Sequence, residues 1–60
     1  MPTEKPARML NVNQVADLLN VSTKTVRRMI EEREIHHHRI GRIIRVSDED
    51  LRAFINRTRE

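Results

Sequence analysis

The apolar positions along the chain follow helical spacing twice, then strand spacing, then helical spacing again. A first helix is predicted over residues 11–20, where one face collects apolar residues at i, i+3, i+4 and i+7: Val12, Val15, Ala16 and Leu19, with Leu18 broadening the stripe. Asn11 is a good N-cap, and Gln14 completes an approximate capping box. Asn20 tolerates the left-handed conformation in which many helices end.

A second helix is predicted from Thr23 to about residue 32, with Ser22 as its N-cap. Its apolar stripe consists of Val26, Met29 and Ile30. Two short amphipathic helices that are joined by three or four residues form a helix-turn-helix.

From residue 35 to residue 46 the pattern predicts a β-hairpin. Gly41 is the only glycine and lies at its centre, where a tight turn needs a positive φ, and either neighbour of Gly41 would complete the turn pair. Ile44 and Val46 share the strand face that should pack on the helices, and Arg45 points the other way.

A last helix is predicted to begin after Ser47, which is followed by three acidic residues that suit a helix N-terminus. Its predicted buried stripe is Leu51, Phe54 and Ile55. The order helix, turn, helix, β-hairpin, helix predicts a mainly α fold with a small β-hairpin, a winged helix-turn-helix over residues 9–60. Residues 1–8 contain both prolines and no apolar periodicity, which predicts a disordered N-terminal arm.

Length and composition exclude several classes of function. A chain of 60 residues makes one small domain and has no walls for a substrate pocket, so we predict that it is not an enzyme and needs no cofactor. The absence of cysteine excludes disulfides and thiolate metal sites. No apolar run approaches the roughly 20 residues of a membrane span, and no signal peptide is evident. The expected location is therefore the cytoplasm.

The positive charge is concentrated in the middle of the chain. The formal net charge is +3, and residues 22–46 hold seven Lys or Arg against three Glu. A basic segment of this kind favours a polyanionic partner. The alternative is that arginine merely solvates a small surface, but that interpretation leaves the concentration in one segment unexplained.

Two stretches resemble the excisionase-type, MerR-like DNA-binding domains. They are the run from Leu10 to Ile30 and the run from Arg39 to Val46, the latter followed by the sequence of residues 50–55. The resemblance implies a winged helix-turn-helix whose second helix enters the major groove while the wing contacts the adjacent minor groove or the backbone. It also implies a bacterial or phage-encoded, nucleoid-associated protein.

Many small members of that family are excisionases, also called recombination directionality factors. They bind repeated sites beside the attachment site of a prophage or other mobile element, bend the DNA and bias an integrase towards excision. The implied partners are double-stranded DNA, an integrase of the tyrosine or serine recombinase class, and neighbouring protomers on the DNA. The first alternative is a small MerR-like transcription regulator, although this chain has no room for an effector or dimerisation domain. The second is a protein-interaction module that binds an acidic partner through the basic face.

The candidate DNA contacts fall into two groups. On the exposed face of the second helix, near the end that meets base edges in helix-turn-helix docking, they are Thr23, Lys24, Thr25, Arg27 and Arg28. Around the wing they are His38, Arg39, Arg42 and Arg45. Arginine can donate a bidentate pair to guanine, and a wing that carries arginine suits a narrow, electronegative minor groove. The alternatives are solvated helix residues and charges that protect an edge strand.

The run His36-His37-His38 invites a metal hypothesis. In a strand, His36 and His38 would share a face and His37 would point the opposite way. No third ligand is evident on the shared face, so we predict no metal site. Ser22 and Ser47 are explained by helix capping, so we predict no catalytic residue either.

Overall fold

The structure, a computed structural model, describes residues 8–59. The order of elements is a short strand, two helices, two strands and a third helix. They are β1 (Met9–Leu10), α1 (Val12–Leu19), α2 (Thr23–Glu31), β2 (His38–Ile40), β3 (Ile43–Ser47) and α3 (Asp48–Thr58). Three helices and a small antiparallel sheet form a winged helix-turn-helix, so the predicted fold is confirmed.

Local side-chain hydrogen bonds set the starts of the helices. At α1 the N–H of Gln14 donates to Asn11 Oδ1 (2.7 Å) and the N–H of Asn11 donates to Gln14 Oε1 (2.9 Å), which is the predicted capping box. Ser22 caps α2 and Ser47 caps α3. These caps satisfy N–H groups that have no partner within the helix.

The turn between the first two helices depends on Asn20, which adopts the left-handed conformation (φ 59°, ψ 44°). Its N–H is directed at the carbonyls of Ala16 and Asp17. Asparagine tolerates this conformation better than most residues, which explains why α1 ends there as predicted.

The sheet has three strands in the order β1-β3-β2, and its first strand was not predicted. Met9 pairs with Ser47 and Leu10 with Val46, both antiparallel to β3. Next to this pairing the carbonyl of Arg8 accepts a hydrogen bond from the N–H of Asp48 (2.9 Å). Arg8 was assigned to the disordered arm, whereas residues 1–7 of that arm lie outside the described residues.

The wing is shorter than the predicted hairpin. Its first strand begins at His38, not at Ile35, so the prediction that residues 35–37 belong to this strand is wrong. Ile35 is instead a core residue with 1% of its surface exposed. Because Ile40 pairs with Ile43, the turn consists of Gly41 and Arg42. Only Gly41 has a positive φ (63°) in this turn, which is the backbone pattern of a type II′ hairpin.

The core collects apolar residues from every helix, from β1 and β3, and from the segment before the wing. It consists of Leu10, Val15, Ala16, Val26, Met29, Ile30, Ile35, Val46 and Leu51, with Val12, Leu19, Ile44 and Phe54 packed against it. Two predicted positions are wrong: Ile55 is 44% exposed and Leu18 is 64% exposed. In α1 and α3 only a narrow stripe of residues packs into this core, so Leu18 and Ile55 lie in solvent.

The end of α3 contacts the segment that follows α2. The guanidinium of Arg57 donates a hydrogen bond to the carbonyl oxygen of Glu34 and lies 5.7 Å from the centroid of the Phe54 ring. The second distance is within the range of a cation–π contact. The hydrogen bond holds α3 against the segment that leads into the wing, and the contact with Phe54, on the same helix, orients the guanidinium for it.

Candidate nucleic-acid interface

Four of the five predicted DNA contacts on α2 are exposed to solvent. Thr23, Lys24, Arg27 and Arg28 are exposed. Thr25 is half-buried because it belongs to the helix cap: its N–H donates to Ser22 Oγ (3.1 Å), and its hydroxyl lies 3.0 Å from the same atom. The fold therefore presents one cation, Lys24, in the first turn of α2 and two, Arg27 and Arg28, in its second turn, while Thr25 also has a structural role.

Arg28 is held by a neighbour on its own helix. Its Nη1 lies 3.3 Å from Glu32 Oε1, and both side chains are more than half exposed. An exposed i,i+4 pair of this kind stabilises a helix by only about 0.3–0.5 kcal/mol. A stronger anionic partner could therefore replace Glu32 at little cost.

A first depression brings together α2 and the wing. It lies where the start of α1, the middle of α2 and the strand β3 converge, and its lining includes three predicted DNA contacts: Arg27, Arg42 and Arg45. The other lining residues are Asn11, Val12, Asn13 and Ile44. Arg45 is half-buried and its Nη1 donates to the carbonyl oxygen of Ile44 (3.0 Å), which restrains the guanidinium. Residues that are far apart in sequence thus form one basic surface.

A second depression lies between the C-terminal half of α2 and the wing. Arg39 and Ile44 are register partners on neighbouring strands and both line it. The rest of its lining consists of Arg27, Ile30, Glu31, Arg33 and His37. Arg27 lines both depressions and connects them. Between residues 8 and 59 the ion pairs are Arg28–Glu32 and His38–Asp50, so no described acid lies within 4.0 Å of the three arginines here.

His38 lies apart from the other predicted wing residues. Its Nε2 is 3.4 Å from Oδ2 of Asp50, in the first turn of α3. It shares a shallow surface with Met9, Ser47 and Glu49, not with Arg27 or Arg39. The structure therefore gives His38 a partner within the domain, and its DNA contact stays a prediction.

Sequence reasoning did not assign a role to the two isoleucines beside the wing turn. Ile40 and Ile43 are register partners, and they are 58% and 50% exposed. Large apolar side chains at the tip of a hairpin do not contribute to the core, so they are candidates for contact with a partner. Their position on either side of the predicted turn was the only signal in the sequence.

The structure also bears on metals and membranes. Within residues 8–59 no group of three or more His, Asp or Glu side chains is arranged to hold a metal ion. Of the helices in this part of the chain, none has the length and apolar character needed to cross a bilayer.

Comparison with known proteins gives one result. A family model described as a helix-turn-helix domain matches residues 9–59, which is most of the chain. Searches of the curated proteins and of the solved structures found no match.

Proposed function

This chain belongs to the helix-turn-helix domain family, a DNA-binding family that includes excisionase-like proteins, and we propose that it acts as an excisionase. Members of the family are typically non-enzymatic, and the family supports sequence-specific binding to double-stranded DNA. The observation that carries the proposal is the first depression, where Arg27 of α2 meets Arg42 and Arg45 of the wing. One surface can then engage a major groove and the neighbouring minor groove together.

In the proposed complex the start of α2 enters the major groove. Arg27 or Arg28 donates a bidentate hydrogen-bond pair to guanine O6 and N7, and Lys24 binds a phosphate. Thr23 contacts a thymine methyl group or a phosphate. Arg42 and Arg39 of the wing reach the adjacent minor groove or its phosphates, where a narrow groove concentrates negative potential.

Bending of the DNA is the step that links binding to excision. The exposed Ile40 and Ile43 support it, because apolar side chains at a minor groove can act as wedges that unstack a base step and kink the duplex. Smooth bending of a site of 20–30 base pairs costs about 1–6 kcal/mol, so several protomers are expected to share one bend. Head-to-tail contacts between protomers have no closing symmetry and would extend along the DNA. The bend would bring integrase-bound arms into a geometry that permits excision.

Salt dependence tests the DNA contacts. Five phosphate contacts, from Lys24, Arg27, Arg39, Arg42 and Arg45, predict a slope of log affinity against log salt of about −4.5. Affinity for a labelled duplex should then fall roughly 500-fold between 50 and 200 mM KCl, as measured by fluorescence anisotropy. The wing contacts alone predict a slope of about −2.7 and the helix contacts alone about −1.8, so a slope shallower than about −3 would remove either the helix or the wing from the interface.

Selection of genomic fragments from the source organism tests the biological role. Purified protein is incubated with the fragments, and the bound fraction is sequenced. Enrichment of repeated sites beside an integrase gene or attachment site supports the excisionase proposal. Enrichment at promoters away from any integrase gene favours the transcription regulator of the same fold. No enrichment by a folded protein would favour the protein-interaction module.

Bending is tested separately from binding. A double variant, Ile40→Ser with Ile43→Ser, should keep most of its affinity, because the arginines are unchanged, but bend the selected duplex less. The end-to-end distance of a doubly labelled duplex, followed by energy transfer, measures the bend. A double variant that bends the DNA as well as the wild type contradicts the role of the isoleucines.

A further inference from the structure

The second depression has the composition of an anion site. Its volume is about 240 Å³, below the range of about 300–1,000 Å³ that is typical of small-molecule pockets. The buried Ile30 and the half-buried Ile44 contribute its apolar part. Arg27, Arg33 and Arg39 contribute three positive charges, against one negative charge from Glu31. Among the described residues, no acidic oxygen lies within 4.0 Å of these three cations. A depression that is lined by three unpaired cations favours an anionic ligand.

Arg33 holds an unusual backbone conformation at this site. Its φ is 59°, in the left-handed region that residues other than Gly, Asn and Asp seldom adopt. The conformation closes the end of α2, because the N–H of Arg33 donates to the carbonyl of Ile30 (3.1 Å) and the N–H of Glu34 donates to that of Met29 (2.9 Å). Glycine would make the same closure without strain. A strained arginine on the wall of a basic depression points to a use for its side chain.

The location of the depression indicates which kind of anion it binds. It lies between α2, which carries the predicted major-groove contacts, and the wing, which carries the predicted minor-groove contacts. A duplex strand that separates two neighbouring grooves must pass between elements that occupy them. A backbone phosphate is therefore the anion that would face Arg33.

We infer that the second depression binds a phosphodiester of the DNA backbone and that Arg33 is one of its ligands. The inference rests on the DNA-binding function but not on the excisionase role. Arg27 and Arg39 line the same depression and face neighbouring phosphates, and with the single negative charge of Glu31 the site keeps a net positive charge. Arginine at position 33 strains the backbone, but it supplies a guanidinium that can bind the phosphate, which glycine cannot do.

The substitution Arg33→Gly separates the two consequences of this arrangement. Removal of the strain should raise the Tm by about 4 °C, measured by circular dichroism. Removal of the phosphate ligand should weaken binding to a 30-base-pair duplex of random sequence roughly tenfold at 0.1 M KCl. It should also make the salt slope shallower by about 0.9. A protein that becomes more stable and binds more weakly is the expected signature.

Matched variants isolate the side chain from the backbone and from total charge. Within residues 8–59, Asn20 is the other residue besides glycine that has a positive φ, and Asn20→Gly should leave the salt slope unchanged. Arg52→Ala removes one charge from α3, on the surface that it shares with Arg8 and Leu18, and should also leave the slope unchanged. Arg33→Lys keeps the charge and should keep the slope. Arg33→Asn, which tolerates the left-handed conformation, should reproduce the loss seen with glycine.

Two results would overturn the inference. The first is wild-type affinity and salt slope in both Arg33→Gly and Arg33→Asn. The second is an equal loss of affinity in Arg52→Ala, which would mean that only the total charge matters. A wild-type protein that binds no duplex at all would overturn the DNA-binding function itself, and this outcome is distinguished by the absence of binding before any substitution is made.

Discussion

Replacement of Ile35 by alanine tests how the wing is attached to the helices. Ile35 follows the end of α2, precedes the first strand of the wing and is only 1% exposed. Substitutions of buried isoleucine by alanine lower the free energy of unfolding by about 2–5 kcal/mol. A domain of 60 residues is expected to have about 3–9 kcal/mol in total, from 0.05–0.15 kcal/mol per residue. The substitution should therefore remove about a fifth of the stability or more.

Urea denaturation followed by circular dichroism measures this loss. With an m-value of about 1 kcal/mol/M, the midpoint of the Ile35→Ala variant should fall by at least about 2 M. If about 1 kcal/mol remains, roughly one molecule in six is unfolded without denaturant. Ile35→Val should lose only about 0.5–1.5 kcal/mol. Ile40→Ala is the matched control, because Ile40 is 58% exposed and its loss should change stability by no more than about 0.5 kcal/mol.

A small effect at Ile35 would refute this reasoning. If Ile35→Ala lies within 1 kcal/mol of the wild type, the segment between α2 and the wing is not part of the core. The wing would then not be held beside α2, and the two basic depressions would have no fixed shape. If Ile40→Ala is equally destabilising, the described burial of the two isoleucines is wrong.

Three further substitutions test the capping, the wing turn and the interface. Ser47→Ala removes the oxygen that accepts from the N–H of Asp50 (3.0 Å) and should lower the free energy of unfolding by about 1 kcal/mol. Ser47→Thr keeps a capping hydroxyl and should lose less; equal losses in urea denaturation would contradict the cap. Gly41→Ala should lower the free energy of unfolding by about 1 kcal/mol through the positive φ alone, because a Cβ there meets nothing within 4 Å. Gly41→Asn should lose less in urea denaturation, and equal losses in the two variants would mean that φ is not the cause. Arg42→Ala should make the salt slope of duplex binding shallower by about 0.9, while Arg52→Ala leaves it unchanged, and a slope that is the same in both variants would exclude the wing turn from the interface.

The helix starts and the helix-turn-helix could be predicted because their determinants are local. Asn11, Ser22 and Ser47 each accept a hydrogen bond from an N–H three residues ahead, so residue type and spacing are sufficient. Asn20 ends α1 through a conformation that its own side chain tolerates. The resemblance rested on the same local patterns, and the helix-turn-helix family and the winged fold that it implied are confirmed, whereas the narrower excisionase-type, MerR-like assignment stays a prediction.

The errors concern positions that depend on contacts distant in sequence. The strand β1 has only two residues, and its partners on β3 lie near the other end of the chain, so no local pattern marks it. Ile55 has the spacing of a buried residue, but α3 contacts the core through too narrow a stripe to cover it. Ile35 looked like a strand residue because its apolar side chain precedes the wing, whereas tertiary packing places it in the core.

The candidate site was predictable in composition but not in arrangement. The sequence identified Arg27, Arg42 and Arg45, yet only the fold brings them around one depression. It could not show that His38 lies beside Asp50, because that contact joins two elements across the sheet. Nor could it show the left-handed backbone of Arg33, which side-chain type alone argues against.

The pairing of β1 with β3 has a consequence for synthesis of the chain. Leu10 leaves the ribosome before every other residue of the described core, and its partner Val46 follows 36 residues later. The two helices between them can form early, but the first strand has no partner until most of the chain has emerged. Closing so long a loop is entropically unfavourable until the core that rewards it is present. The domain should therefore fold only once β3 has emerged, and a nascent chain stopped before β3 should remain sensitive to protease.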